Sequence, residues 1–274
     1  MQEITSDTRE SQTRARWLAV AKEAAAIAAA FIAEQSNNRD AIEWQSKSST
    51  DFVSAVDVGS EQRIQQHFRM HLPELTMVGE ELGPDGDTQM GLVAVVDPLD
   101  GTTNFLHGYP AYCVSICVAL DGIAQAAVVH DVARGGVYWA TLGGGAFVDG
   151  VPLNVSKISE PARALIGTGF PFKDVSHIEP FQKQSAALMP VTSGLRRAGA
   201  AALDLADVAR GRFEAFWELE LMPWDMAAST LLIREAGGRV TDLEGNEATI
   251  KRGPLAASNG LMHDWLLEKL NASG

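Results

Sequence analysis

Cysteine is scarce in this chain of 274 residues, which contains only Cys113 and Cys117. Both lie in the run YPAYCVSICVAL, which has the composition of a β-strand. Four strand positions separate the two residues by roughly 13 Å, at about 3.3 Å per residue, which is too far for a disulfide bond. The sequence therefore predicts a protein of a reducing, cytoplasmic compartment, in which both thiols are small buried groups without a catalytic role.

Long hydrophobic runs and a basic N-terminal segment are also lacking. The most apolar early stretch, AAAIAAAFIA at 24–33, follows a lysine and a glutamate and is much shorter than the roughly 20 residues of a membrane-spanning helix. The first ten residues carry three acids and one arginine, unlike the basic start of a signal peptide. We therefore expect no membrane segment and no membrane partner.

Positive charge is in short supply, with 22 Lys and Arg against 35 Asp and Glu and a net charge of −13. An acidic surface repels nucleic-acid phosphates and anionic lipids, so no nucleic-acid partner is expected. A binding cleft for an anionic substrate would need a local source of positive charge. A bound divalent metal ion can supply it.

The chain is long enough for one large domain or two joined lobes. Apolar residues recur at steps of three and four over 13–35, which predicts a helix after a frayed, polar start at 1–12. A second helix is predicted over 58–70. Short apolar runs between glycine-rich turns predict strands up to about 150, and strands then alternate with helices. We expect an α+β lobe at 1–155 and an α/β lobe at 156–274, joined in one catalytic unit.

The most informative segment is GLVAVVDPLDGTTNF at 91–105, in which an apolar strand ends at two carboxylates, Asp97 and Asp100, around a rigid proline turn. Like charges held this close are unfavourable unless a cation lies between them. Ligands that are all oxygen favour Mg²⁺, Mn²⁺ or Ca²⁺ over Zn²⁺. Gly101 permits close approach of the backbone, and the amides that follow it are natural phosphate donors. Taken alone, the segment could also be an Asp-rich turn.

Further acidic residues lie at the ends of other predicted elements. Glu80 follows a short strand in GEE at 79–81, and Asp57 follows the segment KSSTD at 47–51. Asp225, in PWD at 223–225, precedes a helix, where it could be an N-cap rather than a ligand. Several carboxylates at element ends are what a phosphate site with more than one metal ion requires.

The segments GEE, DPLDGTTNF and PWDMAA together resemble the signature of the inositol monophosphatase family of Mg²⁺-dependent, lithium-sensitive phosphatases, in its bacterial-type branch. The similarity runs from about 47 to 259. It implies a layered α-β-α-β-α sandwich of mixed α+β and α/β character. By analogy with the family, we also expect a homodimer.

The resemblance implies three overlapping groups of functional residues. The metal ligands, for two or three Mg²⁺ ions or for Mn²⁺, would be Glu80, Asp97, the carbonyl of Leu99, Asp100 and Asp225. The catalytic residues would be Glu80, Thr102 and Asp57. The substrate-binding residues would be Leu99, Asp100, Gly101, Thr102, Arg196, Ala201, Glu218 and Asp225.

Within these groups, Asp57 would orient Thr102, which in turn positions the attacking water. Arg196, Ala201 and Glu218 would contact the leaving alcohol, although Arg196 and Arg197 could also be a solvated pair. Glu220 stands where relatives often have glycine, so we expect a more acidic pocket.

The resemblance implies hydrolysis of a small phosphomonoester by metal-activated water with in-line attack. Inositol 1-phosphate is the first candidate substrate, and histidinol phosphate or another sugar or nucleotide phosphate is the alternative. A third possibility is a regulatory binding protein of the same fold that acts through a partner such as the transcription machinery. Loss of a ligand carboxylate would favour that possibility, and every expected ligand is present.

Overall fold

The computed structural model describes residues 6–42, 44–46, 52–83, 86–172 and 174–272, so the segment at 47–51 lies outside the described residues. The α-helices in the described part of the chain are α1 Ser6–Gln35, α2 Ala55–His71, α3 Thr102–Leu106, α4 Ile178–Leu188, α5 Ala201–Ala209, α6 Pro223–Glu235 and α7 His263–Asn271. The strands are β1 Trp44–Ser46, β2 Phe52–Ser54, β3 Thr76–Gly79, β4 Leu92–Asp100, β5 Cys113–Leu120, β6 Ile123–Asp131, β7 Val137–Thr141, β8 Gly145–Val148, β9 Val151–Pro152, β10 Leu165–Thr168, β11 Gly194–Arg196, β12 Ala215–Leu221, β13 Arg239–Thr241 and β14 Gly253–Ser258.

The strands form one large sheet, one smaller sheet and a short hairpin. The large sheet has the order β3-β4-β5-β6-β7-β8-β9, the smaller one β11-β10-β12-β14-β13, and β1 pairs with β2. Strands β3 and β4 are parallel, with Gly79 opposite Val96. The residues that follow these two partners, Glu80 directly after β3 and Asp97 within β4, are therefore neighbours. This register brings two acidic residues together at one end of β3.

Helices cover both sheets and fill the space between them. One apolar cluster packs α1 and α2 against the outer face of the large sheet. A second cluster fills the middle of the molecule with α5, α6 and the inner faces of both sheets. A third packs α4 and α7 against the outer face of the smaller sheet. The layers are thus α-β-α-β-α, and the expected sandwich is confirmed.

Helix α1 begins at Ser6 rather than near residue 13, and the prediction of a frayed start was wrong there. Residues 8–13 are exposed, and pairs one turn apart join this part of the helix, such as Arg14 Nη2 to Glu10 Oε2 at 3.0 Å. Such turns bury nothing and give no apolar periodicity to detect. Where α1 meets the large sheet, alanines such as Ala21 and Ala28 are fully buried and allow close packing.

Helix α2 begins at Ala55, three residues before its predicted start, because a capping box closes its N-terminus. The Ser54 hydroxyl accepts a hydrogen bond from the Val56 amide at 3.1 Å. The Asp57 carboxylate accepts one from the Ser54 amide at 2.8 Å. Such reciprocal bonds satisfy amides that have no partner within the helix. The cap also fixes Asp57 at the start of α2, facing α3.

Both cysteines are free and buried in β5, as the strand spacing predicts. None of the described helices combines the length and the apolar character that crossing a bilayer requires. The chain passes from the large sheet to the smaller one between β9 and β10. The division into lobes at residue 155 stays a prediction, since α5 and α6 pack against both sheets.

His263, at the start of α7, is a fully buried histidine within the third apolar cluster. Its Nε2 lies 2.9 Å from Thr241 Oγ1 and its Nδ1 lies 3.0 Å from Ser258 Oγ. Burial, reinforced by the charge of Arg239, lowers the pKa of His263 to about 4. The neutral ring is therefore part of the native packing.

We expect the contribution of His263 to stability to fall as the pH drops from about 6.5 towards 4, because the unfolded chain then binds a proton at this residue that the native protein does not. A pKa lowered from 6.5 to about 4 corresponds to as much as about 3 kcal/mol. Urea unfolding at several pH values measures this loss. In His263→Gln, the slope of the unfolding free energy against pH should decrease over this range. His107 is exposed, so His107→Gln should keep the wild-type slope. Equal slopes in all three proteins would contradict the assignment.

Candidate metal and phosphate site

A cleft of about 840 Å³ opens where strand ends of both sheets meet helix starts. The ends of β3 and β4 contribute from the large sheet, and the ends of β10 and β12 from the smaller one. Helices α3, α5 and α6 begin at its wall. The cleft has an acidic end, at β3 and β4, and a mixed aromatic and charged end, at β10 and β12.

The acidic end brings together the carboxylates that the sequence singles out. Glu80, Asp97, Asp100 and Asp225 all line the cleft. Asp97 is 2% exposed, and its Oδ1 accepts a hydrogen bond from the Leu99 amide at 3.0 Å. Burial raises the pKa of Asp97 well above its usual value, and the charges of Glu80, Asp100 and Asp225 raise it further. Negative charge is thus concentrated around Asp97.

Asp100 is held by groups from outside its own strand. Burial raises its pKa to about 6 and the charge of Glu80 adds to this, while the amide of Ala202 opposes the shift. That amide donates to Asp100 Oδ2 at 2.8 Å, and the Cys113 thiol lies 3.6 Å from the same oxygen. The start of α5, in the middle layer, is therefore hydrogen-bonded to the acidic end of the cleft.

The donor set fits a hard divalent cation. All candidate ligand atoms are oxygens: four carboxylates and the backbone carbonyl of Leu99. Within the described ranges, neither Asp97 nor Asp100 forms an ion pair with lysine, arginine or histidine. Four acids this close are costly without compensation, and Mg²⁺ prefers such oxygen ligands. These residues are therefore a suitable site for Mg²⁺.

The turn between β4 and α3 depends on Gly101, which has a left-handed backbone with φ of +89°. A Cβ at this position would lie 2.7 Å from the carbonyl oxygen of Ala111. Gly101, Thr102 and Thr103 line the cleft where α3 begins. The first amides of a helix have no partner within it, so they are available to an anion.

We expect Gly101→Ala to destabilise the protein by more than the about 1–2 kcal/mol that a left-handed alanine costs, because the new methyl also meets a backbone oxygen. Gly135→Ala is the matched control, since its φ is +86° and nothing lies within 4 Å of the added Cβ. Unfolding in urea measures both. Equal losses in the two variants would show that the Ala111 contact is unimportant.

Asp57 and Thr102 are joined by a short hydrogen bond. Thr102 Oγ1 lies 2.6 Å from Asp57 Oδ1 and 3.1 Å from the carbonyl oxygen of Leu99. Ser54 donates its hydroxyl to Asp57 Oδ2 at 2.6 Å. Burial raises the pKa of Asp57, and the bonds from Ser54 and Thr102 oppose the shift. Thr102 lines the cleft and Asp57 does not. Asp57 can therefore influence the cleft through its hydrogen bond to Thr102.

Glu218 provides a carboxyl group at the mixed aromatic and charged end of the cleft. It lies on β12 and lines the cleft together with Ala201 and Asp204 of α5. Burial raises its pKa well above the usual value, the charge of Asp225 adds to this, and Arg197 opposes it. Of the predicted alcohol-side residues, Ala201 and Glu218 therefore share one wall of the cleft.

Arg196 does not line the cleft, in contrast to its neighbour Arg197. Both arginines are exposed, and Arg196 Nη1, at the end of β11, donates to the Leu195 carbonyl at 2.9 Å. The guanidinium of Arg197 lies over two phenylalanine rings, 5.2 Å from the centre of Phe170 and 4.9 Å from that of Phe172. Arg197, which directly follows β11, is therefore the member of this arginine pair that lines the cleft, whereas the sequence-based prediction named Arg196.

Sequence reasoning did not assign functional roles to Arg197, Asp204 or the aromatic wall formed by Phe170, Phe172 and Phe181. The GFPF turn at 169–172 was the available signal, because two phenylalanines in a polar turn are unusual. Glu220 does line the cleft, but Arg252 Nε donates to its Oε1 at 2.6 Å. The pocket is therefore less acidic than Glu220 alone would make it.

A second group of possible ligand atoms lies at the mouth of the cleft. Those of Asp174, His177 and Glu220 are all within 4.8 Å of one another. Glu220 is already paired with Arg252, and Asp174 accepts the Ser176 amide at 2.9 Å. We assign no ion to this group.

The comparisons with known proteins agree over nearly the whole chain. The sequence model of the inositol monophosphatase family matches residues 13–274. The chain is 39% identical over 256 residues to a putative Nus factor SuhB of Neisseria meningitidis serogroup B, covering 93% of this chain and 98% of that one. It is 40% identical over 242 residues to Nus factor SuhB of Escherichia coli K12, covering 88% and 91%.

Two solved structures share the fold at moderate identity. The extragenic suppressor protein suhB of Bartonella henselae superposes with a TM-score of 0.86 at 34% identity, covering 92% of this chain and 96% of that one. An inositol monophosphatase from Anabaena superposes with a TM-score of 0.82 at 34% identity, covering 93% and 95%.

Proposed function

Since this chain belongs to the inositol monophosphatase family, we propose that it is a Mg²⁺-dependent phosphatase of small phosphomonoesters, with inositol 1-phosphate as the first candidate substrate. The observation that carries the proposal is the concentration of three cleft-lining carboxylates around a fourth, that of the buried Asp97, next to the start of α3. An anionic ester can enter so acidic a cleft only when cations compensate its charge.

We assign the ligands as the resemblance implies. Glu80, Asp97 and the Leu99 carbonyl would hold one Mg²⁺, and Asp97 would share a second with Asp100 and Asp225. Bound Mg²⁺ supplies the positive charge that neutralises the phosphate, acidifies the attacking water and stabilises the leaving alkoxide. The amides that begin α3 at Gly101 and Thr102 would bind phosphate oxygens.

Thr102 and Asp57 would handle the proton of the attacking water. The shorter bond of Thr102 Oγ1 is the one to Asp57 Oδ1, so the hydroxyl proton points at the carboxylate. The lone pairs of Oγ1 can then accept a hydrogen bond from water in the cleft. As water loses its proton to Thr102 Oγ1, the threonine proton moves to Asp57. The result would be a hydroxide oxygen oriented towards the phosphorus, with the proton held on Asp57.

The other end of the cleft would bind the alcohol. Glu218, with its raised pKa, can donate as well as accept hydrogen bonds to hydroxyl groups. The small side chain of Ala201 leaves space for the alcohol beside Glu218. We assign Arg197, instead of Arg196, to the residues that would contact the alcohol. The same family membership leads us to propose a cytoplasmic homodimer that lithium inhibits.

Release of inorganic phosphate by the purified protein tests this function. The substrates are inositol 1-phosphate, histidinol phosphate, fructose 1,6-bisphosphate and 3′-phosphoadenosine 5′-phosphate, each with Mg²⁺, with Mn²⁺, with EDTA and with added LiCl. We expect turnover that EDTA abolishes and lithium inhibits, fastest with inositol 1-phosphate. Preference for another ester would move the substrate assignment to the alternatives. No turnover of any ester would contradict the proposed activity.

A regulatory role is the second candidate, and the names of the relatives favour it, since several are called Nus factors. Binding of the purified chain to bacterial RNA polymerase tests it, with Asp97→Asn as the variant without catalysis. Equal binding by both proteins would support a role independent of hydrolysis. Absence of binding would leave the phosphatase as the better assignment. The names of these relatives therefore do not support the expectation that the chain has no nucleic-acid partner.

A further inference from the structure

Glu61 is a fully buried carboxylate in the first half of α2, outside the groups assigned so far. Its Oε2 accepts a hydrogen bond from the amide of Glu81 at 2.8 Å. Its Oε1 accepts one from the amide of Leu82 at 3.0 Å. These amides belong to the two residues directly after Glu80. One buried side chain therefore holds the turn that carries a candidate metal ligand.

The backbone before Glu80 is also pressed against this carboxylate. A Cβ at Gly79 would collide with the carboxyl group of Glu61, so glycine is required there. The amide of Glu80 itself donates to the carbonyl of Val96 at 3.2 Å. Glu61 on one side and β4 on the other thus hold residues 79–82. Because Val96 precedes Asp97, the same contacts hold Glu80 beside Asp97.

Glu61 shares one face of α2 with two other residues that contact the site. Asp57 accepts the Thr102 hydroxyl, and Ser60 Oγ donates to the carbonyl of Pro98 at 2.9 Å. Positions 57, 60 and 61 are spaced three and four residues apart, so they project from the same side of a helix. This face of α2 therefore contacts three parts of the acidic end: α3, the proline turn and the turn after β3.

We infer that Glu61 is a positioning residue for Mg²⁺, which sets the affinity of the site by fixing the turn that directs the Glu80 carboxylate towards Asp97. The inference rests on the proposed function, because it needs a metal at the acidic end. Groups that orient metal ligands without touching the metal typically contribute about 10- to 100-fold to affinity. Glu61 itself touches neither metal nor substrate in this assignment.

Glu61→Gln tests the inference, because glutamine keeps the shape and one acceptor oxygen but turns an NH₂ group towards one of the two amides. Two readouts are measured against Mg²⁺ concentration: phosphate release and the rise in melting temperature without substrate. We expect both midpoints to move to about 10- to 100-fold higher Mg²⁺, with kcat at saturating Mg²⁺ nearly unchanged.

Glu235→Gln is the matched control. Glu235 also accepts two backbone amides of one turn, those of Gly143 at 2.7 Å and Gly145 at 2.8 Å, and it lies outside the cleft. It should lose less stability than Glu61→Gln without Mg²⁺, because Glu235 is only partly buried, and it should keep the wild-type midpoints. A merely structural role for Glu61 would leave the Mg²⁺ midpoints of both variants at the wild-type value, and that result would overturn the inference.

Glu61→Asp decides the question if Glu61→Gln does not fold. Aspartate keeps the charge but falls short of the two amides, so a raised Mg²⁺ midpoint in a folded protein is expected. A wild-type midpoint in that variant would overturn the inference and leave the phosphatase assignment intact. A wild-type protein whose melting temperature does not respond to Mg²⁺ would overturn the metal site and the inference together.

Discussion

Asp97→Asn is expected to lower kcat/KM by about 10³-fold or more while leaving the fold intact. Asp97 is the one carboxylate assigned to both metal ions, and metal charge contributes several kcal/mol to the transition state, where each 1.4 kcal/mol is about tenfold. Asparagine keeps the oxygen that accepts the Leu99 amide at 3.0 Å. The substitution therefore removes charge and little else.

Without Mg²⁺, Asp97→Asn should melt at the wild-type temperature or above it. Burial and three neighbouring acids make the charged form of Asp97 unfavourable, so its removal relieves repulsion. The rise in melting temperature that Mg²⁺ produces in the wild type should be reduced. Phosphate-release kinetics and thermal unfolding with and without Mg²⁺ measure these effects.

Asp149→Asn is the matched control for this prediction. The Asp149 side chain also accepts one backbone amide, that of Val137 at 2.9 Å, but it is exposed in the turn between β8 and β9. Its variant should keep the activity and the Mg²⁺ response of the wild type. Wild-type turnover by Asp97→Asn would refute the metal assignment, because that assignment gives the two ions no other shared carboxylate.

Thr102→Val should lower kcat by about 10²- to 10⁴-fold with a smaller change in KM, the range for loss of a proton-transfer group. Valine has the shape of threonine without the hydroxyl, so water in the cleft loses its route to Asp57. Thr102→Ser restores the hydroxyl and should recover most of the rate. Steady-state kinetics of the three proteins measure the effect.

Loss of the Thr102 hydroxyl also leaves Asp57 Oδ1 without its partner at 2.6 Å, which costs about 1–3 kcal/mol of stability. Thr192→Val controls for loss of a threonine hydroxyl elsewhere, because Thr192 Oγ1 donates to the Leu188 carbonyl at 2.9 Å outside the cleft. The control should keep full activity. A Thr102→Ser enzyme as slow as Thr102→Val would show that the hydroxyl is not what matters.

Parts of the fold were predictable where the signal is local. The apolar run before Asp97 predicts a buried strand, and β4 ends at Asp100. The apolar period at 13–35 predicts α1, but its first exposed turns bury nothing and leave no pattern. The start of α2 depends on Ser54 and Asp57 together, a capping box that hydrophobic periodicity does not detect.

The substrate side of the cleft was harder to predict, because its residues come from separate segments. Phe170 follows β10, Arg197 follows β11, Asp204 lies on α5 and Glu218 on β12. Which arginine of an adjacent pair faces the cleft depends on the twist and register of β11 at the edge of the smaller sheet. Glu61 gave no signal for a related reason, since an acid within a polar helix looks like any solvated residue until β3 packs over it.

The sequence by itself determined the family, the layered sandwich and the motifs that carry the candidate metal ligands. These follow from short segments, in which the order of acids, glycine and proline along the chain already restricts the chemistry. The tertiary structure decided which side chains share the cleft and which residues stand behind them. The parallel register of β3 and β4 sets Glu80 beside Asp97, and one face of α2 holds both Thr102 and the turn after Glu80. Such contacts join residues far apart in the chain, so they exist only once the sheets and helices have packed.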